Sequence, residues 1–162
     1  MINSTYYSSP LGDMLLASKD EKLIGAWFEG QKYYLANIKE NISEKEDETL
    51  INTVNWLDDY FKGNKPAIND LNIAPKGSDF RIKVWKILCE IRYGKTITYG
   101  EIAERISKGN KMSAQAVGGA VAHNPISIII PCHRVIGANG KLTGYAGGID
   151  RKRFLLNHEN QR

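Results

Sequence analysis

Most of the chemical promise of this sequence lies in the stretch IIIPCHRVIG at 129–138, where Cys132 stands directly against His133. An ordinary thiol titrates at about 8.5, so only a few per cent is thiolate at neutral pH, and a nucleophilic cysteine needs a base or a positive charge beside it. His133 and Arg134 are both candidates by proximity in the chain. Consecutive side chains of an extended chain point to opposite faces, so direct contact between Cys132 and His133 is awkward and a bridging water is the better proton route. A histidine acting as base also wants a carboxylate or carbonyl on its second nitrogen, to fix its tautomer and stabilise its cation. Residues 81–162 hold five acids. Glu101 and Glu104 fall in a pair of candidate helices, which leaves Glu90, Asp150 and Glu159, and spacing does not choose among them. SIIIPC by itself is simply buried apolar chain; burial does not account for the three polar or ionisable residues that end it. A zinc site fits poorly, because no CxxC exists and Cys89, Cys132, His123, His133 and His158 fall at no standard ligand spacing. Cys89, beside Leu88 and Ile91 with no neighbouring base, reads as structural.

The elements that must position these residues can be read outward from them. Phe80, Val84, Leu88 and Ile91 recur at helical spacing, with Arg81, Lys83, Lys86 and Arg92 turned outward. In TITYGEIAERI, Thr98 followed three residues later by Glu101 is a capping box, so a short helix should start there. After a turn at roughly 107–112, Ser113 can cap a second helix, AQAVGGAVAH. Two short helices in a basic half suggest a helix-turn-helix, although the turn is longer than usual. The second helix offers chiefly Gln115 to a base edge, among alanines and the pair Gly118-Gly119. Each helical glycine costs up to about 1 kcal/mol relative to alanine. Close approach of another backbone would explain the pair, either a neighbouring helix or a strand of DNA read without base-sequence contacts.

The first thirty residues alternate strand-like runs with turn signals (STYYS, DMLLASK, KLIGAWFEG) and predict three short antiparallel strands. From about 46 to 62, Leu50, Val54, Leu57 and Phe61 predict one amphipathic helix ending at Gly63. Residues 63–78 lack periodicity and carry two prolines and two glycines, which places a boundary between domains at 1–78 and 79–162. Charge changes sign there too. Residues 1–80 hold 8 Lys and Arg against 13 Asp and Glu, a balance of −5, and residues 81–162 hold 14 against 5, a balance of +9. A basic half suits a polyanionic partner such as nucleic acid. No apolar run approaches the roughly 18 residues of a membrane span, and the start lacks the features of a signal peptide, so an intracellular, cytoplasmic protein with reduced thiols is expected.

NPISIIIPCHRV resembles the active-site signature of the O6-alkylguanine-DNA alkyltransferases, the methylated-DNA--protein-cysteine methyltransferases, which repair alkylated guanine by direct reversal. The similarity continues through ITYGEIA, AVGGAV and GYAGG to LLNHE, covering about 80–159 in the family's order. The first half matches in layout only. The resemblance implies a ribonuclease H-like α/β domain with a small antiparallel sheet, then a mainly α, winged-helix-like domain containing the helix-turn-helix. It implies a one-turnover transfer of an alkyl group from O6-alkylguanine in duplex DNA, with O4-alkylthymine a second candidate substrate, to Cys132. His133 would act through water with Glu159 behind it, and Tyr99 would assist the flipped guanine. Asn124 would tie together the loops around the cysteine, the Val135 carbonyl would meet the guanine amino group, and Tyr145 and Ala146 would close the alkyl pocket. Thr98, Ser113, Gln115, Ala116, Gly118 and Gly119 would face the minor groove. No cofactor, metal or membrane is implied, and the protein would act as a monomer.

Two departures stand out. Gln115 occupies a position where many relatives carry arginine, the finger that fills the gap left by an extruded base, and Ala146 one where serine is frequent. The zinc-binding cysteines of some relatives are missing from the first domain. Three other functions would draw on the same residues. A sensor that binds alkylguanine without removing it would replace the cysteine, which is present here. A thiol hydrolase would use Cys132, His133 and Glu159 with turnover, and a transcription factor would need an effector domain.

Overall fold

Ten residues of strand and turn, Ile2–Ser9 (β1) followed by Pro10 and Leu11, feed directly into Gly12–Lys19 (β2), which returns antiparallel with Tyr6 opposite Leu15. Lys22–Phe28 (β3) continues the meander, with Leu16 opposite Ala26. The structure is a computed structural model and describes residues 1–107 and 113–160. Its packing divides the chain into one unit of Met1–Lys76 with Pro125–Ser127 and a second of Gly77–Asn124 with Ile128–Arg162.

In the first unit the sheet order is β3-β2-β1-β4, and the fourth strand, Ile42–Glu44 (β4), joins parallel to β1. The expected purely antiparallel sheet is therefore mixed. Three residues are too few to show alternation, so only the neighbouring strand could reveal this one. β2 is buried along Met14–Ala17 because both faces are covered. Leu15 and Ala17 join Ile2, Ile24 and Trp27 under Tyr34, Leu35 and Ile38. The opposite face carries Ser18, whose hydroxyl bonds Asp47, the N-cap of the helix Glu48–Phe61 (α1). Asp47 also accepts from Leu50 N–H at 2.8 Å and from Asn3 at 2.9 Å, so one carboxylate starts the helix and pins it to β1 and β2. The buried stripe of α1 is Leu50, Thr53, Trp56, Leu57 and Tyr60, rotated from the expected Val54 and Phe61, since Trp56 and Tyr60 bring more apolar area. β3 would be an open edge, but Asn72–Ala74 and Pro125–Ser127 cover it, with Ala26 N–H donating to Pro125 O at 2.8 Å and Ser127 N–H to Ala26 O at 2.9 Å. A single cut at 78 was expected; these three residues instead pack with the first unit.

The second unit is helical: Asp79–Cys89 (α2), Tyr99–Ser107 (α3), Ala114–Ala122 (α4) and Ile149–Asn160 (α5). Its strand pairing among the described residues is one parallel match, Ile97–Thr98 (β5) with Val135–Ile136 (β6). The capping box forms in both directions, Thr98 N–H to Glu101 Oε1 and Glu101 N–H to Thr98 Oγ1, each at 3.1 Å. Ser113 caps α4 through Gln115 N–H. Trp85 of α2 is buried and its indole donates to Ala120 O of α4 at 2.9 Å, locking the two helices. The helix-turn-helix turn at 107–112 lies, beyond Ser107, outside the described residues.

Candidate active site

Pro131 sets the geometry of the cysteine. With φ −82° and ψ 65° it is the centre of an inverse γ-turn, closed by Cys132 N–H donating to Ile130 O at 2.8 Å. Cys132–Arg134 then form a single 3₁₀ turn, so consecutive side chains fan out in different directions. Cys132 and His133 are buried, and Arg134 is nearly so. Asn124 braces the approach to this turn, donating to Ile130 O at 2.8 Å. Between them Ile128 adopts φ 70°, a left-handed conformation that costs a β-branched residue of order 1–3 kcal/mol.

The turn aims its three side chains at different tasks. His133 Nε2 lies 2.6 Å from Glu159 Oε2 in α5. Arg134 wraps the same carboxylate, with Nε to Oε1 at 2.8 Å and Nη2 to Oε2 at 3.1 Å, and its Nη1 donates to Ile91 O at 2.6 Å. Gly94 N–H adds a bond to Glu159 Oε1 at 3.2 Å. Of the three acids that spacing left open, Glu159 is therefore the one on His133; Glu90 lies 4.0 Å from Arg105, and Asp150 pairs with Arg153 at the protein surface. Arg134, a candidate for activating the thiol, is committed to Glu159 instead.

Burial pushes the Glu159 carboxyl up, but His133 and Arg134 outweigh it and hold the group well below the usual carboxylate range. Burial pushes His133 down, and this prevails over the pull of Glu159, so the ring rests neutral. A carboxylate can only accept, which fixes the proton on Nε2 and leaves the lone pair on Nδ1. That atom is buried and has no hydrogen-bond partner among the described residues. Burial also pushes the Cys132 thiol up, opposed by Asn124, Lys152 and Tyr145, so the resting sulfur is a thiol that needs a base.

Lys152 is a residue that sequence reasoning missed. It is fully buried in α5, and burial lowers it to about 8 against the opposing pull of Cys132. It supplies the positive charge near the sulfur that the sequence had sought in Arg134. A lysine between Arg151 and Arg153 gives no signal of burial. Thr143 and Gly137 were likewise unmarked.

Tyr99, half-buried at the start of α3, is held above the ordinary tyrosine range, burial and then Cys132 raising it against a hydrogen bond from Thr143 that lowers it. Val135 is buried in β6 and Tyr145 and Ala146 are half-buried in the loop before α5, where Gly148 N–H closes a turn onto Tyr145 O at 2.8 Å. Ser113, Gln115, Ala116 and Gly119 are exposed and Gly118 is half-buried. A Cβ at Gly119 would meet nothing within 4 Å, and one at Gly118 only the Tyr99 ring at 3.8 Å. Packing within the described residues therefore does not require either glycine. Thr98 is half-buried and caps α3 with its hydroxyl, and Cys89 is pushed up to about 11 by burial, an inert thiol. Among the described residues no cluster of three or more His, Cys, Asp or Glu could hold a metal ion, and no helix is long and apolar enough to cross a membrane.

Residues 79–161 match the family described as 6-O-methylguanine DNA methyltransferase, DNA binding domain, and residues 2–75 match its ribonuclease-like domain. Among curated proteins, a methylated-DNA--protein-cysteine methyltransferase of Methanosarcina acetivorans is 47% identical over 155 residues, covering 94% of this chain and 95% of its own. The protein of the same name from Haemophilus influenzae is 43% identical, covering 96% of this chain and 84% of its own. Among solved structures, the O6-methylguanine methyltransferase of Mycobacterium tuberculosis superposes with a TM-score of 0.82 at 42% identity, covering 98% of this chain and 93% of its own. A structure of the OGT protein of that organism in complex with DNA gives 0.82 at 41%, covering 97% and 92%.

Proposed function

The chain belongs to the 6-O-methylguanine DNA methyltransferase family, and on that premise we propose that it repairs duplex DNA by moving an alkyl group from O6-alkylguanine to Sγ of Cys132. The observation that carries this reading is the buried His133–Glu159 pair directly after the buried Cys132, with Nδ1 of His133 left without a hydrogen-bond partner among the described residues. The thiol proton passes through a water to Nδ1, and Glu159 stabilises the imidazolium as it forms. The thiolate attacks the carbon on O6; the S–C bond forms, the C–O bond breaks, and the electron pair stays on the departing base. Tyr99 donates a proton-bearing hydrogen bond to that base. Lys152, Asn124 and Tyr145 hold the thiolate before attack. The thioether C–S bond resists hydrolysis, so each molecule acts once.

The base must leave the helix to reach a sulfur this deeply buried. Gly118, Gly119 and Ala116 on α4 let a nucleic-acid backbone approach closely, and the N-terminus of α4 presents amides to a phosphate. Contacts of this kind position the duplex without reading its sequence. Val135 and the Tyr145–Ala146 loop form the walls for the extruded base. O4-alkylthymine is a second candidate substrate, and the protein works in the cytoplasm with the DNA it repairs. Duplexes carrying radiolabelled O6-methylguanine test the proposal: label on the protein should saturate at one methyl per molecule. Continued turnover or no label at all would refute it.

A further inference from the structure

Lys152 is buried, yet it forms no salt bridge among the described residues; its Nζ donates to Gly144 O at 3.3 Å and to Thr143 Oγ1 at 3.5 Å. An ammonium has donors and no acceptor, so Thr143 can only accept from it. The one hydrogen of the Thr143 hydroxyl is then left for Tyr99 Oη, 3.0 Å away. The phenol oxygen accepts, and its own hydrogen is not used by Thr143. Polarity therefore runs in one direction, from Lys152 through Thr143 to Tyr99.

A second observation shows that the threonine is held in this rotamer. Gly137 has φ −76°, which any residue can adopt, but a Cβ there would lie 2.8 Å from Thr143 Cγ2 and 3.2 Å from Lys141 O. The methyl group of Thr143 rests against the bare backbone of Gly137. With the methyl seated there, the β-branched side chain has its hydroxyl fixed on Tyr99.

We propose that Thr143 is a positioning residue for the transfer: polarised by Lys152 and clamped on Gly137, it turns the Tyr99 hydroxyl so that its proton points at the departing base. This rests on the role given to Tyr99 above. Thr143 touches neither the alkyl group nor the sulfur in this scheme, and acts only through the phenol.

Single-turnover methyl transfer from O6-methylguanine duplexes tests it in the full-length protein, with duplex affinity measured alongside. Thr143→Val keeps the shape and loses the hydroxyl, and should slow transfer about tenfold, the order expected for one lost hydrogen bond, with affinity unchanged. Thr143→Ser restores the hydroxyl and should stay within about threefold of the parent, allowing for the lost methyl clamp. In a Tyr99→Phe background, Thr143→Val should add no further slowing, a result that a purely structural role would not give. Should Thr143→Val fail to fold, Thr143→Ala against Thr143→Ser measures the same hydroxyl. Parent-like rates for the hydroxyl-free variants, or equal slowing with and without the Tyr99 hydroxyl, would overturn the proposal. Absence of transfer in the parent protein would instead strike the repair reading itself.

Discussion

Among the described residues, the buried polar side chains of the first unit are Ser4, Ser18, Gln31, Thr53 and Ser127, all uncharged; those of the second are Asn124, His133, Arg134, Lys152 and Glu159, four of them ionisable. The uncharged set makes bonds that pin one element to another, as Ser18 does on Asp47 and Ser127 does on Gln31 at 3.3 Å. Of the ionisable set, His133 and Arg134 meet on Glu159, and Lys152 acts on the Cys132 sulfur. Burying charge costs several kcal/mol per ion before pairing, and apolar replacements of buried ions are often as stable or more so. A fold selected for stability alone has little use for such a cluster. The contrast teaches that the first unit spends its buried polarity on architecture and the second on chemistry, and substitutions should separate along that line.

Glu159→Gln should have the largest effect on stability. It leaves Arg134 and His133 facing an amide, and urea denaturation should show a loss of about 3–5 kcal/mol together with slower transfer. Acid should sharpen this. Glu159 and His133 are both held below their unfolded values, so each favours the native state when deprotonated, and that stability is present above about pH 6.5 and lost as pH falls. Glu159→Gln should flatten the part of the loss below about pH 4.5.

Lys152→Met should move the other way, stabilising the protein by about 1–3 kcal/mol at pH 7 while slowing transfer. The unfolded lysine keeps its proton to about 10.5 while the folded one loses it at about 8, so the parent gains stability as pH rises between them. The advantage of the methionine variant should shrink over that window. A lysine variant less stable than the parent at pH 7 would mean that this charge is architectural after all.

Asp47→Ala, in the first unit, should cost about 1–2 kcal/mol through the lost helix cap and leave the transfer rate of folded protein unchanged. A matching loss of rate would break the division between the units. Gln115→Arg should have the smallest effect, a few-fold gain in duplex affinity with the salt dependence steepened by about 0.9 in log–log slope, as one phosphate is neutralised. An unchanged slope would mean that this position does not face the backbone.

Local rules make much of the fold legible from the sequence alone. β1, β2 and β3 fall where strand-like runs are separated by turn signals, and α3 begins where Thr98 and Glu101 exchange bonds. β4 and the β5–β6 pair are three and two residues long, held by partners distant in the chain, and leave no periodic trace. Within the site, PCHR marked the nucleophile and its neighbour by type alone. Which acid faces His133 depends on how α5 packs, and the resemblance named Glu159 where spacing did not. Lys152 was invisible because a solvated lysine and a buried one look alike in sequence. Gly137 and Thr143 were invisible for a related reason: their meaning is a 2.8 Å approach across a loop.

Peptide mass spectrometry after incubation with O6-methylguanine duplexes tests the central claim most directly. The account predicts one added methyl, on the peptide containing Cys132 and none on that containing Cys89, abolished in Cys132→Ser. A methyl found on any other residue, or an unmodified Cys132 in protein that binds the lesion tightly, would contradict it.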